Sequence, residues 1–219
     1  MQDSASQLIA PLIGAKAGER ILDSCAAPGG KTSHLCALMN NEVRIVAVDT
    51  DGGRLAEMSE NLARLGARCA EPVRGDASDA EWLKSLGPFD RALVDAPCTN
   101  LGVLRRNPEV KRRTGPRAPL LFHEGQSQLL KAAAQALVTG GVVVYSVCTV
   151  SEEETVNVVN RFLRENPWLE AVPIHDENPA IKRFVGCDGF LRTFPPPQDC
   201  PLDGFFAAKL RKISEPRSR

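Results

Sequence analysis

Five short apolar runs, each followed by a longer segment with helical periodicity, occupy most of the chain between Arg20 and Leu163. This alternation is typical of βαβ units, which build a parallel sheet with helices on both faces. The predicted strands are Arg20–Ser24, Arg44–Asp49, Cys69–Arg74, Arg91–Asp95 and Val142–Ser146. The predicted helices are Lys31–Met39, Gly53–Leu65, Asp79–Leu86, Glu124–Leu137 and Glu152–Glu165.

The pattern changes after Asn166, where two further strands, Trp168–Ile174 and Gly204–Arg211, are predicted with no helix between them. Such a return favours an antiparallel strand at the sheet edge. A chain of 219 residues with 43% hydrophobic content suits one full-sized domain and is short for two. We therefore expect a single domain over residues 1–212, followed by a polar tail over 213–219.

Opposite charges balance in this chain, with 27 Lys and Arg against 27 Asp and Glu. This balance excludes a domain that binds nucleic acid through an overall positive field, so such affinity requires a local patch. A basic segment supplies one, with a single acid, Glu109, among Arg105, Arg106, Lys111, Arg112, Arg113 and Arg117. These side chains are predicted to contact phosphates, and a solvated charged loop is the alternative.

Seven cysteines, an odd number with no C-x-x-C pair, favour free thiols and a reducing compartment, so we expect a cytoplasmic protein. No apolar run approaches the roughly 18 residues that cross a bilayer, so no membrane span is expected. His34, His123 and His175 lack metal-ligand spacing, and no metal is expected. Nothing indicates an obligate interface, and we expect a monomer.

The segment from Asp23 to Thr32 leaves the first predicted strand, turns through Pro28-Gly29-Gly30 and enters a helix. Small residues there let backbone N–H groups approach an anionic ligand at the positive end of the helix. A P-loop would need glycine where Cys25 stands, and the dinucleotide fingerprint G-x-G-x-x-G is absent. The loop is a candidate ligand-binding turn of another class, with an ordinary glycine turn as the alternative.

Four aspartates, Asp23, Asp49, Asp76 and Asp95, lie at or just past the carboxyl ends of predicted strands. Doubly wound sheets bind ligands at that edge. Asp49 is placed to accept ribose hydroxyls, and Asp76 could accept from an adenine amino group. Aspartate also caps helices, so any one of them is ambiguous, but the four together predict a nucleoside site.

Two cysteines, Cys98 and Cys148, follow the fourth and fifth predicted strands. If those strands are neighbours, about 5 Å apart, both thiols face one cleft. A thiolate that adds to C6 of a cytosine would make C5 able to take a methyl group from a sulfonium donor. Asp95 could bond the N3/N4 edge of the base. A lone cysteine is more often a small buried hydrophobe, but two at these positions favour the chemistry.

Three segments, Cys25–Thr32, Asp95–Lys111 and Ser146–Glu154, resemble the RsmB/Sun family of RNA (cytosine-5) methyltransferases, and the likeness extends from Gln2–Ser6 to Asp203–Leu210. The resemblance implies a class I S-adenosylmethionine-dependent methyltransferase fold, which is α/β and Rossmann-like. Its sheet would be seven-stranded, mostly parallel and doubly wound, with an antiparallel edge strand. It also implies an RNA partner, either rRNA or tRNA.

By the same resemblance, Cys148 is the nucleophile and Cys98 assists product release. The residues implied to line the cofactor are Cys25, Ala26, Ala27, Pro28, Gly29, Gly30, Lys31, Asp49, Asp76 and Asp95. Pro97-Cys98 alone would indicate a DNA cytosine-5 enzyme, whose nucleophile follows proline, whereas Ser146-Val147-Cys148-Thr149 favours RNA.

The chain departs from the family pattern at Val147, at Thr99-Asn100-Leu101 and at Pro195-Pro196, which puts substrate detail in doubt more than chemistry. The N-terminal RNA-binding domain that the family usually carries is expected to be absent. Two alternatives stay open: a catalytically silent binding module, and an amino-group methyltransferase that needs no nucleophilic thiol.

Overall fold

Eight β-strands form one sheet in the computed structural model, which describes residues 2–174, 181–194 and 202–216 without the side chain of Arg113. The strands are β1 (Arg20–Ser24), β2 (Arg44–Asp49), β3 (Ala70–Arg74), β4 (Phe89–Asp95), β5 (Leu137–Val147), β6 (Leu169–Ala171), β7 (Leu191–Thr193) and β8 (Phe205–Lys212). Their order is β3-β2-β1-β4-β5-β8-β6, and β7 also pairs with β8. His175, Pro195, Pro196 and Cys200 lie outside the described residues.

The helices that follow the parallel strands cover both faces of the sheet. They are α1 (Ser4–Gln7), α2 (Ile9–Leu12), α3 (Gly30–Leu38), α4 (Gly52–Leu65), α5 (Ala80–Leu86), α6 (Val110–Arg113), α7 (Ala118–Gln135) and α8 (Val156–Glu165). Short 3-10 turns occupy Leu101–Val103, Glu152–Glu154 and Lys182–Phe184. Within the described ranges, no helix has the length and apolarity that a bilayer span would require.

Alternate residues along the central strands enter two separate hydrophobic clusters. Leu22 and Val94 belong to the cluster under α7 and α8, whereas Ile21 and Leu93 belong to the cluster under α2, α3 and α4. Because successive side chains of a strand point to opposite faces, each central strand contributes to both cores. This double burial fixes the sheet register and the level at which the strands end.

The predicted fold class is confirmed, including all five predicted strand-helix units and a mostly parallel sheet with seven strands in its main path. The antiparallel strand β8 lies one position in from the edge, because the short strands β6 and β7 pair with successive parts of its outer side. The sequence analysis missed β7, which has three residues and no periodic signal.

Helix bounds differ from the prediction by more than two residues at two places. Helix α7 begins at Ala118 rather than Glu124, since Pro119 suits a first helical turn and does not break the helix there. The helix predicted from Glu152 begins instead at Val156, because Thr155, with φ −116° and ψ −105°, separates it from a 3-10 turn.

Candidate active site

A cleft of about 620 Å³ opens at the carboxyl ends of β1, β4 and β5. The loop after β1, from Cys25 to Lys31, forms one wall, and Asp23, Asp95 and Cys148 lie at its base. The N-terminal segment and the start of β8 complete the wall with Gln2, Asp3, Ser6 and Phe205. Most of the residues predicted to bind a cofactor therefore share one cavity with a predicted catalytic cysteine.

Backbone conformations that few residues adopt shape the loop after β1. Cys25 has φ of +60° and Gly29 has φ of +89°, and the Ala27-Pro28 peptide is cis. A Cβ atom at Gly29 would lie 2.7 Å from Cγ of Met58, so only glycine lets the loop pack against α4. Burial raises the pKa of the Cys25 thiol to about 12, which leaves Cys25 a neutral part of the wall.

Asp49 and Asp76, both predicted to contact a nucleoside, are not among the residues that line the cleft. The Asp49 carboxylate accepts hydrogen bonds from the backbone N–H groups of Ala27 (3.1 Å) and Asp51 (3.1 Å), so it holds the loop in place. Asp76 is exposed and accepts from the N–H and hydroxyl of Ser78. A role in nucleoside binding remains a prediction for both residues.

Asp95 is fixed at the base of the cleft by a partner on each carboxylate oxygen. Lys31 Nζ lies 2.6 Å from Oδ2, and the Ser146 hydroxyl donates to Oδ1 at 2.7 Å. Lys31 also lies over the ring of Phe205, 5.4 Å from its centroid. These contacts bring together the ends of β4 and β5 and the first turn of α3.

Asp23 is fully buried beside these groups. It accepts a 2.5 Å hydrogen bond from Thr32 on Oδ2, whereas Oδ1 has no hydrogen-bond partner within the described chain. Burial, together with the nearby charge of Asp95, raises the pKa of the Asp23 carboxyl to about 7. An unsatisfied carboxylate oxygen at the wall of a cleft suits a cationic or hydrogen-bond-donating ligand.

This raised pKa predicts a pH dependence of stability. The folded state holds a proton on Asp23 that the unfolded chain releases near pH 4, so the contribution of Asp23 to the free energy of unfolding should fall as pH rises from about 4 to about 7. This contribution to the slope approaches about −1.4 kcal/mol per pH unit. Urea unfolding at several pH values should therefore show a slope in Asp23→Asn that is more positive than in the wild type. An identical slope in the variant and the wild type would refute the assignment.

The two predicted catalytic cysteines lie side by side, with 3.4 Å between their sulfur atoms. Strands β4 and β5 are neighbours with Asp95 opposite Ser146, so the loops that follow them start at the same level. Cys148 is half-buried and lines the cleft, whereas Cys98 is buried behind it. The hydrogen bond to Cys148, with burial, holds the pKa of the Cys98 thiol well above its usual value.

Both thiols also contact the side chain of Asn100. The amide Oδ1 lies 2.7 Å from Cys148 Sγ and 3.5 Å from Cys98 Sγ. Asn100 has φ of +60°, and its neighbour Gly102 donates its N–H to the carbonyl of Cys148 at 3.0 Å. The loop after β4 is thereby joined to the loop after β5 at the level of the sulfur atoms.

A fully buried carboxylate, Glu154, ties the same two loops together from behind. It accepts hydrogen bonds from the N–H (2.8 Å) and hydroxyl (2.5 Å) of Thr99 and from the hydroxyl of Thr149 (3.1 Å). The Gln126 amide adds a fourth bond at 3.2 Å. Because Thr99 and Thr149 follow the two cysteines directly, this network fixes the distance between the thiols.

Loss of Glu154 should therefore be severe. In Glu154→Ala, the buried donors of Thr99, Thr149 and Gln126 lose their acceptor, which we expect to lower the free energy of unfolding by about 3 kcal/mol. Glu152→Ala, in the same turn but exposed, should change it by less than about 0.5 kcal/mol. Urea denaturation of both variants tests this, and equal effects would contradict the role given to Glu154.

Two residues of the predicted basic segment are engaged in ion pairs within the chain. Arg105 and Arg106 pair with the fully buried Asp203, Arg106 Nε at 2.6 Å and Arg105 at 3.2 Å, and both approach Asp3. These pairs join the loop after β4 to both ends of the chain, and Arg106 lines the cleft. By contrast, Lys111 and Arg112 are exposed on α6.

Asn100 and Glu154 are functional candidates that the sequence analysis missed. Asn100 was noted only as a departure from a family pattern, and Glu154 lay within the helix predicted over Glu152–Glu165, with no role of its own. A polar residue directly after each cysteine, Thr99 and Thr149, is the one sequence signal for a shared acceptor. Among the described residues, no group of three or more metal-ligand side chains occurs.

Comparison with protein families gives one match over nearly the whole chain. The family model described as 16S rRNA methyltransferase RsmB/F matches residues 10–211. The chain is 42% identical over 221 residues to ribosomal RNA small subunit methyltransferase B of Pseudomonas syringae pv. tomato, covering 98% of the chain and 47% of that protein. It is 36% identical over 217 residues to methyltransferase F of Serratia proteamaculans, covering 97% and 44%. The chain spans about half the length of these relatives.

Solved structures show the same likeness. NSun6 from Pyrococcus horikoshii, crystallised with SFG, superposes with a TM-score of 0.84 at 32% identity, over 98% of this chain and 53% of that one. A methyltransferase homologue from the same organism gives a TM-score of 0.78 at 30% identity, over 96% and 67%.

Proposed function

The chain belongs to the RsmB/F family of 16S rRNA methyltransferases, and from that premise we propose that it methylates carbon 5 of a cytosine in ribosomal RNA. The observation that carries the proposal is the pair of thiols, 3.4 Å apart, at the base of a cleft of about 620 Å³. One thiol suits addition to the base and the other suits its release. An amino-group methyltransferase would use neither.

The residues of the cleft fit S-adenosylmethionine, the cofactor of this fold. Its methionine carboxylate suits Lys31 and the N–H groups at the start of α3, and its ammonium group suits the unsatisfied carboxylate of Asp23. Asp49 would hold the ribose hydroxyls. When bound, S-adenosylmethionine supplies an electrophilic methyl group on its sulfonium sulfur.

In the proposed reaction, the Cys148 thiolate forms a bond to C6 of the cytosine, and the C5–C6 π electrons move to C5, which takes the methyl group. Cys98 then loses its thiol proton to water and, as its thiolate, removes the C5 proton, which returns Cys98 to its neutral thiol. The C5–C6 double bond re-forms, the bond from Cys148 to C6 breaks, and Cys148 leaves as a thiolate. Asp95, fixed by Lys31 and Ser146, bonds the N3/N4 edge of a base that has been unstacked to enter the cleft.

We propose that the basic segment guides the RNA. The exposed Lys111 and Arg112, with Arg113, would contact phosphates, so affinity should fall as salt concentration rises. Arg106 lines the cleft and is held there by its ion pair with Asp203, so it would contact the RNA at the cleft itself.

The direct test uses 16S rRNA transcribed with cytidine carrying tritium at C5. Methylation at C5 replaces that hydrogen, so the protein with unlabelled S-adenosylmethionine should release tritium to water and yield 5-methylcytidine. Methylation at an amino group would consume the cofactor without releasing tritium. If the protein binds S-adenosylmethionine but neither releases tritium nor methylates the RNA, the silent binding module is supported instead.

A further inference from the structure

Asn100 is the one polar side chain of the described chain, apart from Cys98, that contacts the Cys148 sulfur. We propose that Asn100 is a further catalytic residue: its amide accepts a hydrogen bond from the neutral Cys148 thiol and, after rotation, donates one to the Cys148 thiolate. This inference rests on the proposed function, because it assigns a role toward the nucleophile of that reaction.

The backbone at Asn100 does not by itself need an asparagine. Its φ of +60° lies in the left-handed region, which glycine adopts freely and which asparagine tolerates better than most residues. The Asn100 side chain forms no helix-capping hydrogen bond to the 3-10 turn over Leu101–Val103. Among the described residues, the hydrogen-bond partners of the Asn100 side chain are the two sulfur atoms.

The chemistry of the amide suits both protonation states of the nucleophile. Oδ1 is an acceptor for the S–H of the resting thiol, and a half-turn about the last side-chain bond presents Nδ2 as a donor. A thiolate needs donors, and the Cys98 S–H, 3.4 Å away, is the other donor in reach. The proton that Cys148 loses passes to water in the cleft, and no oxidant or reductant is involved.

Other charged groups line the same cleft and also influence the ionisation of Cys148. They are Lys31 paired with Asp95, Arg106 paired with Asp203, the buried Asp23, Asp3 and Arg64. Glu154 lies behind Cys98, on the side away from the cleft, and is bonded to Thr99. Substitution of Asn100 leaves all of these in place, so a change in Cys148 ionisation would report on the amide itself.

The test measures how fast iodoacetamide alkylates Cys148 as a function of pH. Trypsin should release residues 132–161 with Cys148 as the only cysteine, and residues 92–105 with Cys98 as the only cysteine, so mass spectrometry follows each thiol separately. We expect the midpoint of Cys148 alkylation to rise by about one pH unit in Asn100→Gly, which removes the donor. It should rise further in Asn100→Asp, which places a carboxylate of the same shape beside the sulfur.

Asn40 provides matched controls, because it is exposed and also has a left-handed backbone, with φ of +50°. Asn40→Gly and Asn40→Asp should leave the midpoint of Cys148 alkylation unchanged. They show the effect of the same substitutions at a left-handed residue that has no contact with Cys148. A Cys148 midpoint in Asn100→Gly that is unchanged or lower than in the wild type would overturn the proposal. Because alkylation needs neither RNA nor cofactor, this outcome is distinct from a failure to methylate.

Discussion

Cys148→Ala should lose at least about a thousandfold of its methyl-transfer rate, because removal of a covalent nucleophile closes the proposed reaction path. The side chain is half-buried at the base of the cleft, and its sulfur bonds only to Cys98 and Asn100 among the described residues. Its loss should therefore lower the free energy of unfolding by no more than about 1 kcal/mol. Tritium release and urea unfolding of the same preparation measure the two effects separately.

Cys187→Ala is the matched control, since it removes an exposed thiol away from the cleft. It should retain full activity. If Cys148→Ala methylated RNA as fast as the wild type, the covalent path would be wrong, and an amino-group methyltransferase would be the better interpretation.

Cys98→Ala should convert the protein into a trap for its own substrate. Cys98 lies 3.4 Å from Cys148, and in the proposed reaction it takes the C5 proton. Without it, the methylated base keeps its C5 hydrogen, and the bond from Cys148 to C6 cannot break by elimination. We expect most of the protein to shift on a denaturing gel when labelled RNA and S-adenosylmethionine are both present.

The double variant Cys98→Ala/Cys148→Ala should form no adduct, since the bond to RNA requires Cys148. Omission of S-adenosylmethionine should also prevent the stable adduct, because the trapped species is the methylated one. Normal turnover by Cys98→Ala with no retained RNA would contradict the role in product release that is given to Cys98.

The central strands could be predicted from the sequence because burial of both their faces requires continuous runs of apolar residues. Both β1 and β2 begin and end where the apolar runs do, since both of their faces enter a core. The order of the strands beyond β5 could not be predicted, because no such pattern in the sequence encodes it. It depends on β6 and β7, each three residues long, sharing the outer side of β8.

Some residues of the candidate site could likewise be predicted from the sequence, and others could not. The loop from Cys25 to Lys31 is continuous in sequence, so its spacing predicted its place at the cleft. The contacts of Asn100 and Glu154 join residues about fifty positions apart, and no local pattern encodes them. The ion pair between Arg106 and Asp203 joins residues 97 positions apart. It gives a structural contact to Arg106, which the sequence predicted only to contact phosphates of RNA.

One wall of the cleft also constrains the order in which the chain folds. Asp3 accepts the N–H of Asp203, 200 positions away, and both face Arg105 and Arg106. Contacts between such distant residues carry a large loop-closure entropy and form late. During synthesis the sheet from β1 to β5 can assemble first, but the cleft stays open on this side until Asp203 has left the ribosome. The nascent chain would thus close this side of the pocket only after the five parallel strands and the segment around Asp203 have been synthesised.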